Sequence, residues 1–156
     1  MASRNTRRPS PMSPAQLRQA HHTYLEEMLF EAVVTAGAVV ALADGQVDPE
    51  ERASVVDLVE QSGWLSTYTA AEAADAFDSE VRQLELDGGD PETALNSVRR
   101  VGDGLGSRVV VCAAEQVARA DGRVQFPEER ALGLIRSALA PSSKQAVRPC
   151  PRQRQA

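Results

Sequence analysis

Two short acidic phrases contain the side chains best suited to chemistry. ADGQVDPEER begins at Ala43 and ARADGRVQFPEER begins at Ala118, and each joins an Asp-Gly pair to a Pro-Glu-Glu-Arg sequence. Carboxylate oxygens are the ligands that hard divalent cations such as Ca²⁺ and Mg²⁺ prefer. The candidate metal ligands are Asp44, Asp48 and Glu51 in the first phrase and Asp121 and Glu129 in the second.

Most of each phrase also has a structural explanation, because its glycine can end one helix and its proline can begin the next. However, Asp44 and Asp121 then fall at helix C-termini, where an acidic side chain meets the negative end of the helix dipole. A tight turn also brings each Asp toward the following Glu, and two carboxylates repel unless a cation, an Arg or N–H groups compensate. The sequence leaves open a weak cation site and a purely structural acidic turn.

The first phrase matches half of an EF-hand calcium loop. With Asp44 at loop position 5, Gly45 and Glu51 fall at positions 6 and 12, as that loop requires. Positions 1 and 3 would be Val40 and Leu42, which have no side-chain oxygen. The second phrase has an extra residue before its proline, so we expect only weak binding of Ca²⁺ or Mg²⁺, helped by the other copy, water or a partner.

Apolar residues recur at helical spacing on both sides of each phrase, and capping residues, prolines and glycines mark about six helices. The predicted helices run from Pro14 to Gly45, Asp48 to Ser62, Thr69 to Leu86, Asp90 to Val101, Leu105 to Ala120 and Pro127 to Leu139. No convincing strand is present, although the VVVC run alone is compatible with one. We therefore predict a compact all-α domain in which a helix–Asp-Gly loop–helix unit is duplicated around a helical insert.

The composition indicates which residue types build the core and in which cellular compartment the protein is expected. Hydrophobic residues are 42% of the chain and aromatic residues 4%, so Ala, Val and Leu must build the core. Cys112, in the run VVVCAAEQVA, is expected to be buried, and no disulfide framework is indicated. We find no signal peptide and no apolar stretch long enough to span a bilayer, so we expect a cytoplasmic protein without membrane insertion.

The charge is distributed unevenly. Of the net charge of −5, residues 1–12 contribute +3 and residues 141–156 contribute +4, which leaves −12 on residues 13–140. Such an acidic domain is a poor binder of nucleic acid, whose phosphates require a basic surface. The two basic tails have few apolar residues and are predicted to be disordered, with attraction to anionic lipid or an acidic partner as the alternative.

From about Met28 to Ala140, the chain resembles the TerB family of bacterial tellurite-resistance proteins. The resemblance rests on the phrases VVALADGQVDPEER and AEQVARADGRVQFPEER and on the intervening AFDSEVRQLEL. It implies an all-helical cytoplasmic fold with acidic clusters that have been thought to bind divalent metal. The matching positions are Asp44, Glu51, Asp121 and Glu129. The second copy has an extra residue before its proline, so it departs from the family pattern at Glu129.

The resemblance implies a non-enzymatic protein of the tellurite-resistance or metal-stress response. It would act as a metal-linked interaction module, with membrane and cytoplasmic partners from the same resistance system. The alternative is a protein–protein adaptor without metal, like the TerB-like domain of some co-chaperones. An enzyme with a cryptic carboxylate site is a weaker third alternative, and direct capture of tellurite is disfavoured because an acidic body repels an oxyanion.

Overall fold

The structure, a computed structural model, describes residues 12–141. These residues form six α-helices and no strand, which confirms the all-α prediction. The helices are α1 (Pro14–Ala41), α2 (Pro49–Gln61), α3 (Ala70–Leu86), α4 (Leu95–Val101), α5 (Leu105–Ala118) and α6 (Phe126–Leu139).

Side-chain caps begin α1 and α3. Ser13 Oγ accepts a hydrogen bond from the Gln16 N–H at 3.2 Å, and Gln16 Oε1 accepts one from the Ser13 N–H at 2.8 Å. Thr69 and Glu72 form the same reciprocal pair before α3. These bonds satisfy N–H groups that a helix start otherwise leaves without partners, so local sequence defines these boundaries.

The C-terminal part of α1 is the centre of the fold. Every residue from 32 to 41 is buried, whereas a surface helix buries only one face. All five other helices contact α1 and together surround it. Small side chains permit this close packing: at Gly37, an added Cβ would lie only 2.6 Å from Val55 Cγ2 of α2.

The two helix–loop–helix units pack against each other. The first consists of α1 and α2 and the second of α5 and α6, and α1 makes its most extensive contact with α5. The prediction that the duplicated units pack together is therefore confirmed. The insert joins them, since α3 packs on α1 and α2 while α4 packs on α1 and α6.

Three helices are shorter than the sequence predicts, and one of them, α5, ends at Ala118 rather than Ala120. α1 ends at Ala41 rather than Gly45, because residues 42–44 continue the chain as tight turns. α4 begins at Leu95 rather than Asp90, because residues 92–94 also form a turn. In both places the chain stays coiled, so the apolar spacing persists although regular helical hydrogen bonding does not.

The basic tails assigned to residues 1–12 and 141–156 lie outside the described residues, apart from Met12 and Pro141. In the part of the chain that the structure does describe, no helix is both long and apolar enough to cross a membrane.

Cys112 is exposed, so the expectation that it is buried is wrong. Its neighbours Ala113 and Ala114 point into the core, while Cys112 lines grooves on the outer side of α5. A helix turns its successive residues around the axis, so even an apolar run places some of its members at the surface.

Candidate functional site

The two Asp-Gly loops have the same local geometry. Asp44 Oδ1 accepts a hydrogen bond from the Gln46 N–H at 3.0 Å, and Asp121 Oδ1 accepts one from the Arg123 N–H at 2.9 Å. The intervening glycine has a φ of 90° in the first loop and 84° in the second, a left-handed conformation that favours glycine. Each Asp thus closes its own turn, which gives it a structural role at the end of a helix.

The first turns of α2 and α6 are also equivalent. Glu51 Oε2 accepts a hydrogen bond from the Asp48 N–H at 2.9 Å, and Glu128 Oε2 accepts one from the Gln125 N–H at 2.5 Å. Both glutamates occupy the third helical position, and both are 5% exposed. Each lies seven positions after the Asp of its loop, so the duplication contains no inserted residue up to this point.

Alignment of the two phrases on their prolines hides this equivalence. α6 begins at Phe126, which makes Pro127 its second residue, whereas the proline of the first phrase is the first residue of α2. Both positions tolerate proline because N–H groups of the first turn have no intrahelical partner. Glu129, the predicted ligand, is exposed at the fourth position, and Glu128 stands where Glu51 stands in α2. Counting from the Asp would have identified Glu128.

Glu51 and Glu128 lie close enough for their charges to interact. The pKa of the Glu51 carboxyl is raised from its usual 4.5 to about 7, and burial is the largest cause, while the hydrogen bond from the Asp48 N–H opposes the shift. The negative charges of Glu128, Asp48 and Asp44 contribute the rest of the increase, Glu128 most of the three. Many molecules therefore hold a proton on Glu51 at neutral pH, and this proton relieves repulsion between the two helix starts.

Contacts with α1 and α3 fix the position of α2. Arg52 Nε and Nη2 donate to the two carboxylate oxygens of Asp78 in α3, at 2.7 and 2.8 Å. One turn further along α2, Val55 fills the space left by Gly37 of α1. The first turn of α2, with Glu51, is thereby held against the core.

The five predicted metal ligands do not form a ready-made cation site. Asp44, Asp48, Asp121 and Glu129 are exposed, and only Glu51 is buried. Within residues 12–141, no three His, Cys, Asp or Glu side chains are grouped so that they could hold a metal ion. Their carboxylate oxygens have the right chemistry, but Ca²⁺ takes about six to eight oxygens. The fold brings the charges of two glutamates within range of each other and does not assemble a chelating set.

Apolar side chains are exposed beside these acids. Phe126 is 78% exposed and Val124 is 45% exposed, whereas Val47, the equivalent of Val124, packs partly against the core. We call residues 44–51 and 121–129 the loop end; it has seven carboxylates and a single basic residue, Arg123. Aromatic residues are enriched in protein interfaces, so Phe126 is the side chain of the loop end best suited to contact a partner.

A family of known proteins matches most of the chain. The match is to the family described as TerB, tellurite resistance protein TerB, and covers residues 30–148, about three quarters of the sequence. It includes both Asp-Gly loops and continues seven residues beyond Pro141. Neither a curated protein nor a solved structure matches the chain. The chain belongs to the TerB family.

Proposed function

We propose that this protein is a non-catalytic component of the tellurite-resistance or metal-stress response, and that it binds other proteins in the cytoplasm through its loop end. Membership of the TerB family supports the link to tellurite resistance. The observation that carries the binding function is the 78% exposure of Phe126 among acidic side chains.

Phe126 contributes little to the fold at its position. It is the first residue of α6, whereas the first residue of α2 is Pro49, which suits a helix start. Covering a large apolar side chain is worth roughly 1.5–3 kcal/mol, and this free energy is available when a partner covers the ring. Buried aromatic anchors surrounded by polar residues contribute much of the affinity in protein interfaces.

The partner should present an apolar pocket bordered by basic side chains. Seven carboxylates against one Arg make the loop end strongly negative, and a complementary charge accelerates association and selects among partners. Other proteins of the same resistance system, at the membrane or in the cytoplasm, are the proposed partners.

Survival in the presence of tellurite tests this proposal. The host is a strain that becomes sensitive to tellurite when the gene for this protein is deleted. The strain is complemented with the wild type, Phe126→Ser or Trp64→Ser. Trp64 is a matched control, because it is 56% exposed but lies between α2 and α3, outside the loop end. Phe126→Ser should lose most of the resistance and keep its melting temperature, while Trp64→Ser should keep both. Equal resistance from all three proteins would refute binding through the loop end.

Cation-dependent regulation is a second candidate, favoured by the interaction of Glu51 with Glu128. A divalent cation would relieve the same repulsion that the proton on Glu51 relieves. Because no three acidic side chains within residues 12–141 are arranged so that they could hold a metal ion, we propose weak binding, with a dissociation constant of roughly 10⁻⁴–10⁻³ M.

Thermal melting with and without millimolar Ca²⁺ or Mg²⁺, at fixed ionic strength, tests the cation function. At a hundred times its dissociation constant, a cation should stabilise the wild type by about 2.7 kcal/mol. Glu128→Gln should lose most of this gain, whereas Glu129→Gln, which changes the exposed neighbour, should retain it. If neither ion changes the wild-type melting temperature, the cation function is rejected and protein binding remains.

A further inference from the structure

The N-terminal part of α1 projects from the domain. Every residue from 14 to 25 is exposed, and Leu29 is the first residue of α1 that is buried. Within residues 12–141, Glu26 is the first side chain of α1 that bonds to another element, since it accepts a hydrogen bond from Thr67 Oγ1 at 2.7 Å. Residues 14–25 therefore form about three turns of helix, roughly 18 Å long, that the rest of the described chain leaves exposed.

Apolar side chains form a stripe along this projecting segment. Leu17, Ala20, Tyr24 and Met28 follow each other at intervals of three and four residues, which places them on one side of a helix. The side chains of Leu17 and Tyr24 are both more than half exposed. We call these four residues the α1 stripe. It has the pattern of a surface that packs against a second helix.

The projecting segment needs a cover to remain helical. His21, His22 and Thr23, near its centre, are weak helix formers. The anchored part of α1 can nucleate the segment, but most of the stability of a helix in a protein comes from packing of its apolar face. Burial of the α1 stripe against a partner would supply this missing stabilisation.

The projecting segment lies outside the region that matches the TerB family. The family match begins at residue 30, directly after Leu29, where α1 enters the core. The segment is therefore an addition to the matched domain, and its partner has to be inferred from its own side chains.

The charges of the segment favour a second copy of the same chain in antiparallel orientation. Arg18 lies near the N-terminal end of the α1 stripe, together with the positive end of the helix dipole, whereas Glu26 and Glu27 lie near its C-terminal end. Antiparallel copies place each basic end level with the acidic end of the other, and parallel copies would place like charges level. An anionic membrane would attract Arg18 but repel the two glutamates.

We propose that two copies of this chain form an antiparallel dimer through the α1 stripe. The twofold axis passes between His22 and Thr23, so that Leu17 lies level with Met28 of the partner subunit. Such an interface is isologous, because the same surface of both subunits forms it. A helix pair this short buries less than the roughly 1,200–2,000 Å² of a standard interface, so the dimer dissociates in the micromolar range.

The dimer leaves the loop end free. α1 has 28 residues and is about 42 Å long, and the loop end begins at Asp44, three residues after the C-terminus of α1. The dimer therefore has two accessible loop ends, which increases the avidity for a partner that has more than one binding site. The dimer itself does not depend on the function proposed for the loop end.

Sedimentation equilibrium of the full-length chain tests the dimer. Over a range of micromolar concentrations, the average mass should rise from 16.8 kDa toward twice that value. Leu17→Ser and Tyr24→Ser should each weaken dimerisation about tenfold, as loss of a buried anchor does in an interface. The melting temperature of the dilute monomer should not change. Leu86→Ser is the matched control, because Leu86 is exposed at the end of α3, and it should dimerise like the wild type.

Cross-linking of single cysteines tests the orientation of the two helices. In a Cys112→Ser/Cys150→Ser background, a short bifunctional maleimide should join His21→Cys to its copy, because position 21 lies near the twofold axis. Ala15→Cys should not be joined, because the two copies of position 15 lie about 22 Å apart along antiparallel helices. Parallel helices would bring both positions close to their copies.

Three results would overturn the proposal. A mass of 16.8 kDa at every concentration would exclude the dimer, and binding of that monomer to phosphatidylglycerol vesicles would assign the α1 stripe to a membrane surface. A dimer that neither Leu17→Ser nor Tyr24→Ser weakens would have its interface elsewhere. Cross-linking of Ala15→Cys as efficient as that of His21→Cys would show that the helices are parallel.

Discussion

Glu51 and Glu128 occupy the third position of α2 and of α6, and the charge of Glu128 contributes to raising the pKa of Glu51 to about 7. Each glutamate accepts a hydrogen bond from the backbone N–H that precedes its own helix. The duplication thus brings two equivalent helix starts within range of each other's charges. Burial of Glu51, the larger cause, and this charge together give a carboxyl group that titrates near neutral pH.

Glu51→Gln should stabilise the protein at pH 8 by on the order of 2–3 kcal/mol and have little effect near pH 4. The pKa of Glu51 is about 7 in the folded state and near the usual 4.5 in the unfolded state. As pH rises from 4.5 to 7, the unfolded state releases this proton first, so the wild type loses stability in that range. Glutamine does not ionise and can still accept the Asp48 N–H. Urea denaturation at both pH values measures the difference.

Glu129→Gln is the matched control for this prediction, because Glu129 is the exposed neighbour of Glu128. Its free energy of unfolding should stay within about 0.5 kcal/mol of the wild type at both pH values. A Glu51→Gln protein less stable than the wild type at pH 8 would contradict the raised pKa.

Glu128→Gln should lower the pKa of Glu51, because Glu128 raises that pKa more than Asp48 or Asp44 does. The pKa should remain above 4.5, since burial, the largest cause, is unchanged. A ¹³C NMR titration of the Glu51 carboxyl measures the shift. Asp44→Asn should produce a smaller decrease, and a decrease as large as that of Glu128→Gln would show that the two glutamates are not the closely interacting pair.

Gly37→Ala should destabilise the protein by roughly 1–3 kcal/mol, although alanine favours a helix by up to about 1 kcal/mol over glycine. The new Cβ would lie 2.6 Å from Val55 Cγ2, and a β-branched side chain has little freedom to move away. Gly133 of α6 is the control, since no atom lies within 4 Å of its added Cβ. Gly133→Ala should stabilise by about 0.5–1 kcal/mol. Denaturation curves should show that Gly37→Ala lowers the free energy of unfolding and that Gly133→Ala raises it. A change in the same direction in both variants would contradict the close packing at Gly37.

Thr35→Val should destabilise the protein at pH 8 by roughly 1–3 kcal/mol. The Thr35 side chain is buried, and its Oγ1 donates a hydrogen bond to Glu80 Oε1 at 3.1 Å. Burial raises the pKa of Glu80, and this hydrogen bond lowers it, so the loss should be smaller near pH 4, where the carboxyl is protonated. Thr67 donates a comparable bond to Glu26 on the surface, at 2.7 Å. If Thr35→Val and Thr67→Val lower the free energy of unfolding equally, loss of the buried hydrogen bond costs no more than loss of the exposed one, which would contradict this prediction.

Local sequence was sufficient to predict the helices and the Asp-Gly turns. Ser13 and Thr69 form hydrogen bonds with residues three positions later, and Asp44 closes its turn on the N–H two positions later. Such contacts depend on chain neighbours, so a pattern of residue types is enough to indicate them. The TerB resemblance, which the family match confirms, also rests on these local phrases.

The pairing within the site could not be predicted in the same way. Glu51 and Glu128 are 77 positions apart, and their proximity depends on how the two helix–loop–helix units pack rather than on local spacing. The shift of proline from the first position of α2 to the second of α6 also makes Glu129, rather than Glu128, resemble Glu51 in the sequence. The orientation of Cys112 likewise depends on which sides of α5 other helices cover.

The ten consecutive buried residues of α1 determine how the molecule opens. Each of the other five helices contacts α1, so detaching any of them uncovers part of segment 32–41. We therefore expect the amide protons of this segment to exchange with solvent only through complete unfolding, and to be the slowest in the chain. Although the motif is present twice, its two copies share one central helix and form a single cooperative unit.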